Sequence, residues 1–444
     1  MSTAHDVWDR LETLPDYGLV ALFILAIWLL LSLFAALVGG PQAPNLAAGF
    51  VSSVTVLIGA FALLTLALNL QWGYTGLFNI GVAGFMAVGA YTTAILTAPT
   101  NPAAGAVPGL GLPLGIGLLG GMVMAAIVGA LAALPALRLR ADYLAIVTVA
   151  LSEIIRLFVN WNGVAQLAVA GVEFGTGGAT GISFTSPSGI VAGVVNGPFS
   201  PLVAAAESLG VSGPNVVNFV YGLTLLALVV ASYWVLSRLV NSPFGRVLKA
   251  IREDEQVTQS LGKDTRLFKI KAFMIGCALM GLAGALFRGS AGYISPAQFR
   301  PGITFYVFAA LIIGGSGSNT GSILGAATFS ALLFYLPARL GEFFPNIGGQ
   351  APGNVVDAVA ALGALDVSPL VAYTIANIST LRFVLIGVVL IYIIQRRPLG
   401  LLGHRNEPAA SVDLRRPAAA DGGEPRDARR ASSARGSDGG GDDE

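Results

Sequence analysis

RLVNSPFGRVLKAIREDEQVTQSLGKDTRLFKIK, residues 238–271, is the only long charged stretch inside a chain that otherwise alternates apolar spans with glycine-rich joints. It holds eight of the chain's 25 Lys and Arg residues. Apolar runs flank it on both sides, which reads as a loop between membrane helices. Basic loops stay inside, so this one is placed in the cytoplasm as a surface on which a partner can dock.

Composition extends that reading to the whole chain. With 55% hydrophobic and 11% charged residues in 444, the sequence is far from a soluble globular profile. Apolar windows fall near residues 18–38, 47–70, 76–97, 112–135, 142–160, 216–237, 271–288, 302–316, 321–338 and 380–395. The expected fold is an all-α polytopic membrane protein of about ten transmembrane helices, some broken or re-entrant at Gly or Pro, with both termini cytoplasmic. The basic residues agree with it. Arg138 and Arg140 lie in the 135–143 turn and nine Lys or Arg follow from Arg396 onward, whereas loops 98–111 and 161–215 have none. The 289–301 and 339–379 connections carry only Arg300 and Arg339.

The expected organisation is a cytoplasmic leader (1–17), a transmembrane domain (18–403) and a disordered cytoplasmic tail (404–444) too poor in large apolar residues to fold. The first span lacks the basic flank of a signal peptide and is expected to be retained. Loops 163–215 and 339–379 are long enough to cover an outer vestibule and too small to be domains.

Much chemistry is excluded. Histidine occurs only as His5 and His404, outside the spans, so no catalytic residue and no metal site is expected. The lone Cys277 reads as packing. The Gly262-Lys263 pair is followed by Asp264 and lacks the upstream glycine of a phosphate-binding loop, so the chain binds no ATP or other cofactor itself. A net charge of +1 without a basic, aromatic-laced stripe excludes nucleic acid. An ion-driven carrier needs a carboxylate within the membrane, and only Glu153 qualifies. It stands three residues before Arg156, a spacing that suits either a coupling or gating group or a fixed structural pair.

Within the charged loop, Ser242-Pro243 predicts a helix start, Ser242 capping and Pro243 at the first position, running towards Arg252. Glu253, Asp254 and Glu255 then place acids in the first turn of a second short helix that Gly262 can terminate. Val257 and Leu261 share one side of it, as in a helix that inserts into a partner's groove or one that merely connects.

SPFGRVLKAIREDEQVTQSLGKDTRLFKIKAFMIGCALMGLAGALF, residues 242–287, closely resembles the cytoplasmic loop and following helix of ABC importer permeases for branched-chain amino acids, LivM type. The resemblance recurs in order at GYTGLFNIGVAGFMAVGAY (73–91), DYLAIVTVALSEIIRL (142–157), TGGATGI (176–182), GYISPAQF (292–299), GGSGSNTGSILGA (314–326) and RRPLGLLG (396–403). It departs at Leu77, Val82 and Ser322, where many relatives have Gln, His and Pro.

The resemblance implies a plasma-membrane permease paired with a second, related permease and two cytoplasmic ATPase subunits. These subunits use the ATP, and an external binding protein delivers the solute. By carry-over, Arg246, Ala250, Arg252, Glu253, Asp254 and Gly262 belong to the ATPase-coupling loop. Thr75, Asn79, Gly81, Gly84, Phe85, Gly89, Tyr91, Thr148 and Glu153 are carried over to the substrate path. The glycines among them also suit simple close packing. The expected solute is a branched-chain or other hydrophobic amino acid. Urea or a short amide, or an ion-coupled carrier built on Glu153, stands as the alternative.

Overall fold

The computed structural model describes residues 16–102, 106–136, 141–169, 171–343, 351–364, 366–397 and 400–401. The expected leader as far as residue 15, the Arg138 and Arg140 turn and the expected disordered tail lie outside the described residues.

Helices dominate because the apolar windows are rich in Leu, Ala and Val and a backbone in hydrocarbon must satisfy its own hydrogen bonds. In order they are α1 (Asp16–Gly39), α2 (Ala43–Leu68), α3 (Val82–Thr97), α4 (Leu114–Ala136), α5 (Ala141–Asn160), α6 (Pro187–Asn196), α7 (Ser200–Ser208) and α8 (Gly213–Val240). There follow α9 (Pro243–Glu253), α10 (Glu255–Ser260), α11 (Thr265–Arg288), α12 (Gly302–Gly314), α13 (Asn319–Thr328), α14 (Leu336–Phe343), α15 (Val355–Ala360), α16 (Ser368–Ala376) and α17 (Ile378–Arg396). Asn69–Gly73 and Phe329–Tyr335 continue α2 and α13 as π-helical turns.

Each of the ten apolar windows coincides with a helix, but not each helix is a full span. Among the described residues six helical stretches are long and apolar enough to cross a membrane, and two bent pairs bring the number to eight. The first stretch, Asp16–Gly73, contains both α1 and α2. α3 and α12 have only 16 and 13 residues, roughly 24 and 20 Å at 1.5 Å per residue, against a hydrocarbon core of about 30 Å. They are half-helices. For α3 the reason lies in Leu77–Gly81, which is apolar enough to enter a composition window yet non-helical in the structure.

The expected 161–215 loop also holds more structure than a cover. Its α6 and α7 are apolar and bent 82° from each other, a broken span or re-entrant hairpin. Four short strands depart from a purely helical reading: β1 (Leu167–Val169) pairs antiparallel with β2 (Val172–Phe174), and β3 (Ile182–Ser183) with β4 (Tyr293–Ile294). The second pair joins two of the sequence motifs, TGGATGI and GYISPAQF.

The core runs between α2, α3, α11, α12 and α13. Phe61, Phe85, Phe273, Phe299 and Phe329 are its largest wholly buried apolar rings, joined by Leu63, Leu64 and Leu66. Glycine sets how close its backbones come. A Cβ at Gly89 would overlap the Gly281 backbone, and one at Gly84 would lie 2.7 Å from Ser152 Cα. Only hydrogen fits at either position.

Candidate functional site

The charged loop forms a compact two-helix unit at the end of α8. α9 turns back sharply there, because a side chain at Gly245 would overlap the Val240 backbone. Gly245, Leu248, Lys249 and Ile251 are buried, Ala250 is half-buried, and Arg246 and Glu253 face outward. Pro243 occupies the first turn as expected, but Ser242 does not cap. Its hydroxyl donates instead to Leu239 O at 2.6 Å, the last turn of α8.

Glu253 is the last residue of α9 rather than part of the next helix's first turn. Asp254, extended at φ −154°, separates the helices, and its Oδ1 accepts from the Gln256 and Val257 amides at 2.8 and 3.0 Å. Gly262, at φ +77°, turns the chain out of the unit, a conformation that suits glycine. Val257 and Leu261 are 56% and 74% exposed, so the tip presents two large apolar side chains beside acids. Exposed apolar residues rimmed by charge are what a partner's groove covers.

Three contacts fasten this tip to the bundle. Arg252 Nη1 donates to Gly73 O at 2.5 Å while its Nη2 holds Glu253 Oε1 at 2.9 Å. Lys249, 5% exposed, places its ammonium 5.8 Å from the centre of the Tyr74 ring. Lys269 Nζ of α11 donates to Glu255 Oε1 at 2.6 Å, and Thr265 Oγ1 donates to the same oxygen at 3.0 Å. Sequence reading passed over Lys249 and Lys269 and gave Glu255 only a place in the first turn of the second helix. Its available signal was the i, i+3, i+4, i+7 run Gly245, Leu248, Lys249 and Arg252, which puts two cations on the inward stripe.

Beneath Arg252 the second helix breaks. The π-helical turn Asn69–Gly73 brings Asn69 Oδ1 to the Gly317 amide at 2.8 Å and Asn69 Nδ2 to Asn319 Oδ1 at 3.2 Å. Gln71 Nε2 donates to Phe273 O at 2.9 Å, and its Oε1 accepts from Asn79 Nδ2 at 2.8 Å. Asn79 Oδ1 in turn accepts from the Gly81 amide at 2.8 Å. Each of these buried amides is satisfied, which in a low-dielectric interior fixes the break in one geometry. The 314–321 turn meets it there, and beyond α17 the Leu401 amide donates to Ile313 O at 2.9 Å, at the end of α12. Asn69 and Gln71 too were absent from the expected set, although a polar pair closing an apolar run was visible in LALNLQWG.

The residues carried over to the substrate path come together around α3, and all but Glu153 are buried. Thr75 Oγ1 donates to Leu70 O, and Thr148 Oγ1 donates to Ala145 O while accepting from the Ile80 amide. A Cβ at Gly81 would lie 2.7 Å from Thr148 O. The Phe85 and Tyr91 rings meet Phe273 and Phe299 at 5.7 and 5.9 Å. Glu153 pairs with Arg156, both of its oxygens accepting from the guanidinium at 2.5 and 2.9 Å.

The family profile described as branched-chain amino acid transport system, permease component, matches residues 50–338. The chain is 35% identical over 286 residues to the Escherichia coli high-affinity branched-chain amino acid transport system permease protein LivM, covering 62% of this chain and 60% of that one. It is also 35% identical over 283 residues to the Salmonella typhimurium protein of the same name, covering 60% and 59%. To a LivM-named permease of Methanocaldococcus jannaschii it is 28% identical over 304 residues, covering 63% and 79%. It thus spans about three fifths of the length of the first two relatives. No solved structure matches it.

Proposed function

This chain belongs to the family of permease components of branched-chain amino acid transport systems, and we propose that it is one transmembrane subunit of an ATP-driven importer for branched-chain or other hydrophobic amino acids. In this reading it pairs in the plasma membrane with a second, related permease. Two cytoplasmic ATPases bind and use the ATP, and an external binding protein supplies the solute.

The observation that carries the reading is the fastened tip. A surface-exposed helix bearing Val257 and Leu261 is tied through Arg252 to the break in α2 and through Glu255–Lys269 to α11. A push on α10 therefore reaches two membrane helices by short polar contacts rather than through flexible chain. From Gly73 the path continues through Asn69 to the 314–321 turn. Rocking of these half-helices against one another is the motion alternating access requires. The ion-coupled alternative is weakened because both Glu153 oxygens accept from Arg156, whose charge offsets the carboxylate charge a coupling ion would need.

The test is uptake in proteoliposomes holding the chain, its partner permease, both ATPases and the binding protein. Leucine entry should require ATP and fall to background in Glu253→Lys and Gly262→Pro proteins that still insert and fold. Uptake by the single purified chain under a proton gradient would overturn the reading. Faster entry of urea than of leucine would move the solute to the amide class.

A further inference from the structure

The connection after α3 and the β1–β2 hairpin face each other across a cleft of about 550 Å³. One wall carries Thr100 and Asn101, the other Gln166 and Glu173, with Pro108 and Phe174 in the apolar part of its lining. All four polar residues are exposed, and none of their side chains makes a hydrogen bond or ion pair among the described residues. A carboxylate without a counter-ion and three neutral polar groups therefore share one concave surface.

Both walls are held. The Leu110 and Gly111 amides donate to Ile95 O and Ala98 O at 3.0 and 2.8 Å, which fastens the first wall to the end of α3. On the other side Thr176 Oγ1 donates to Val159 O at 2.8 Å and ties the base of the hairpin to the last turn of α5. Glu173 pairs with Ala168 across the hairpin, so its carboxylate stands on a fixed strand. The 16 residues of α3, roughly 24 Å of helix, separate this cleft from Gly81. On the importer reading it opens on the outer side of the membrane.

Charge decides what fits. Residues 98–111 and 161–215 contain no Lys or Arg, so an amino-acid zwitterion would leave its carboxylate unmatched here and a lipid phosphate would be repelled. Calcium takes six to eight oxygen ligands, whereas Glu173 is the single carboxylate lining the cleft, and no group of three metal-ligating side chains occurs among the described residues. A cationic side chain on an aqueous partner satisfies the whole surface. We propose that the cleft receives a lysine or arginine of the external binding protein, Glu173 taking the charge while Thr100, Asn101 and Gln166 accept its remaining hydrogen bonds. This rests on the importer reading and adds to it the chemistry of the outer docking surface. One wall is carried by α3 and the other by α5, so a cation seated between them acts on the ends of both helices.

The experiment titrates leucine-loaded binding protein against the assembled complex in proteoliposomes and reads ATP-driven leucine uptake. At about 50 mM salt, Glu173→Lys should raise the half-saturating concentration roughly tenfold and Glu173→Gln about threefold, with uptake at saturation within about twofold of wild type. At about 0.5 M salt both shifts should shrink below about twofold, because an exposed pair is screened. Asn101→Lys, on the opposite wall, should weaken docking as Glu173→Lys does. Glu207→Lys, exposed outside the cleft, should move half-saturation by less than about twofold. Unchanged half-saturation in Glu173→Lys, a shift that persists at high salt, a loss confined to uptake at saturation, or an equal shift in Glu207→Lys would overturn the site and leave the importer reading standing. A wild-type complex whose leucine uptake does not depend on the binding protein would overturn both.

Discussion

The charged loop and the crossing of α3 with α11 belong to one bundle and are held by opposite means. At the crossing, Gly89, Gly281 and Gly284 bring backbones into contact, with no room for a side chain. At the loop, long side chains reach across gaps: Arg252 to Gly73, Lys249 to Tyr74, Lys269 to Glu255. Close packing has one solution, because dispersion contacts vanish with a small separation. Hydrogen bonds from flexible cations can follow a moving partner. A transport subunit needs both, a rigid joint about which helices turn and a compliant link through which they are driven.

The rigid side of that comparison breaks most readily at Gly89. Leucine there would force α3 away from α11 or destroy the helix, so Gly89→Leu should destabilise by about 3 kcal/mol or more, the range of severe overpacking. The expected result is loss of monodisperse protein in detergent, with a lowered melting transition for what remains. A Gly89→Leu protein that melts with the wild type would show that the crossing is looser than its geometry and remove the contrast.

On the compliant side, Arg252→Met keeps the bulk over Gly76 and removes the donor to Gly73 O. A hydrogen bond from a charged group contributes about 1.5–3 kcal/mol when buried, but this side chain is 35% exposed, so solvent screening should reduce the stability change to about 1 kcal/mol. ATP-driven uptake should fall roughly tenfold while the complex still assembles, because a link, not a joint, is cut. Equal loss of folding in Arg252→Met and Gly89→Leu would erase the distinction between the two regions.

How much of this was readable beforehand follows the range of the interactions. Local rules placed the loop helices well at two points, Pro243 opening α9 and Gly262 ending the unit, whereas Asp254, expected within the first turn of α10, caps it from outside. They also paired Glu153 with Arg156 across one turn. Long-range contacts left no trace in spacing, and Asn69 meets Asn319 across 250 positions. The composition window at 76–97 also overran α3, since it reports whether a segment tolerates hydrocarbon and not whether it is helical throughout. Lys249 and Lys269 drew no reading from the sequence, yet a ring face and a carboxylate accommodate them inside.

Ser242 sharpens the comparison at its small end. The sequence assigns it the capping role at α9, for which replacement by alanine typically costs about 1 kcal/mol. In the structure its hydroxyl donates backward to Leu239 O and no side-chain bond reaches the α9 amides. Pro243 needs no donor satisfied, because it has none. Ser242→Ala therefore removes only a half-exposed bond to a helix end that water can replace, and should change stability by less than about 0.5 kcal/mol. Hydrogen exchange of the amides in the first turn of α9 should be unchanged, and leucine uptake should equal that of the wild type. Faster exchange confined to residues 244–246 would instead mean that Ser242 does cap α9 in solution, and that the loop is held by its own helix ends as much as by its reach to Gly73.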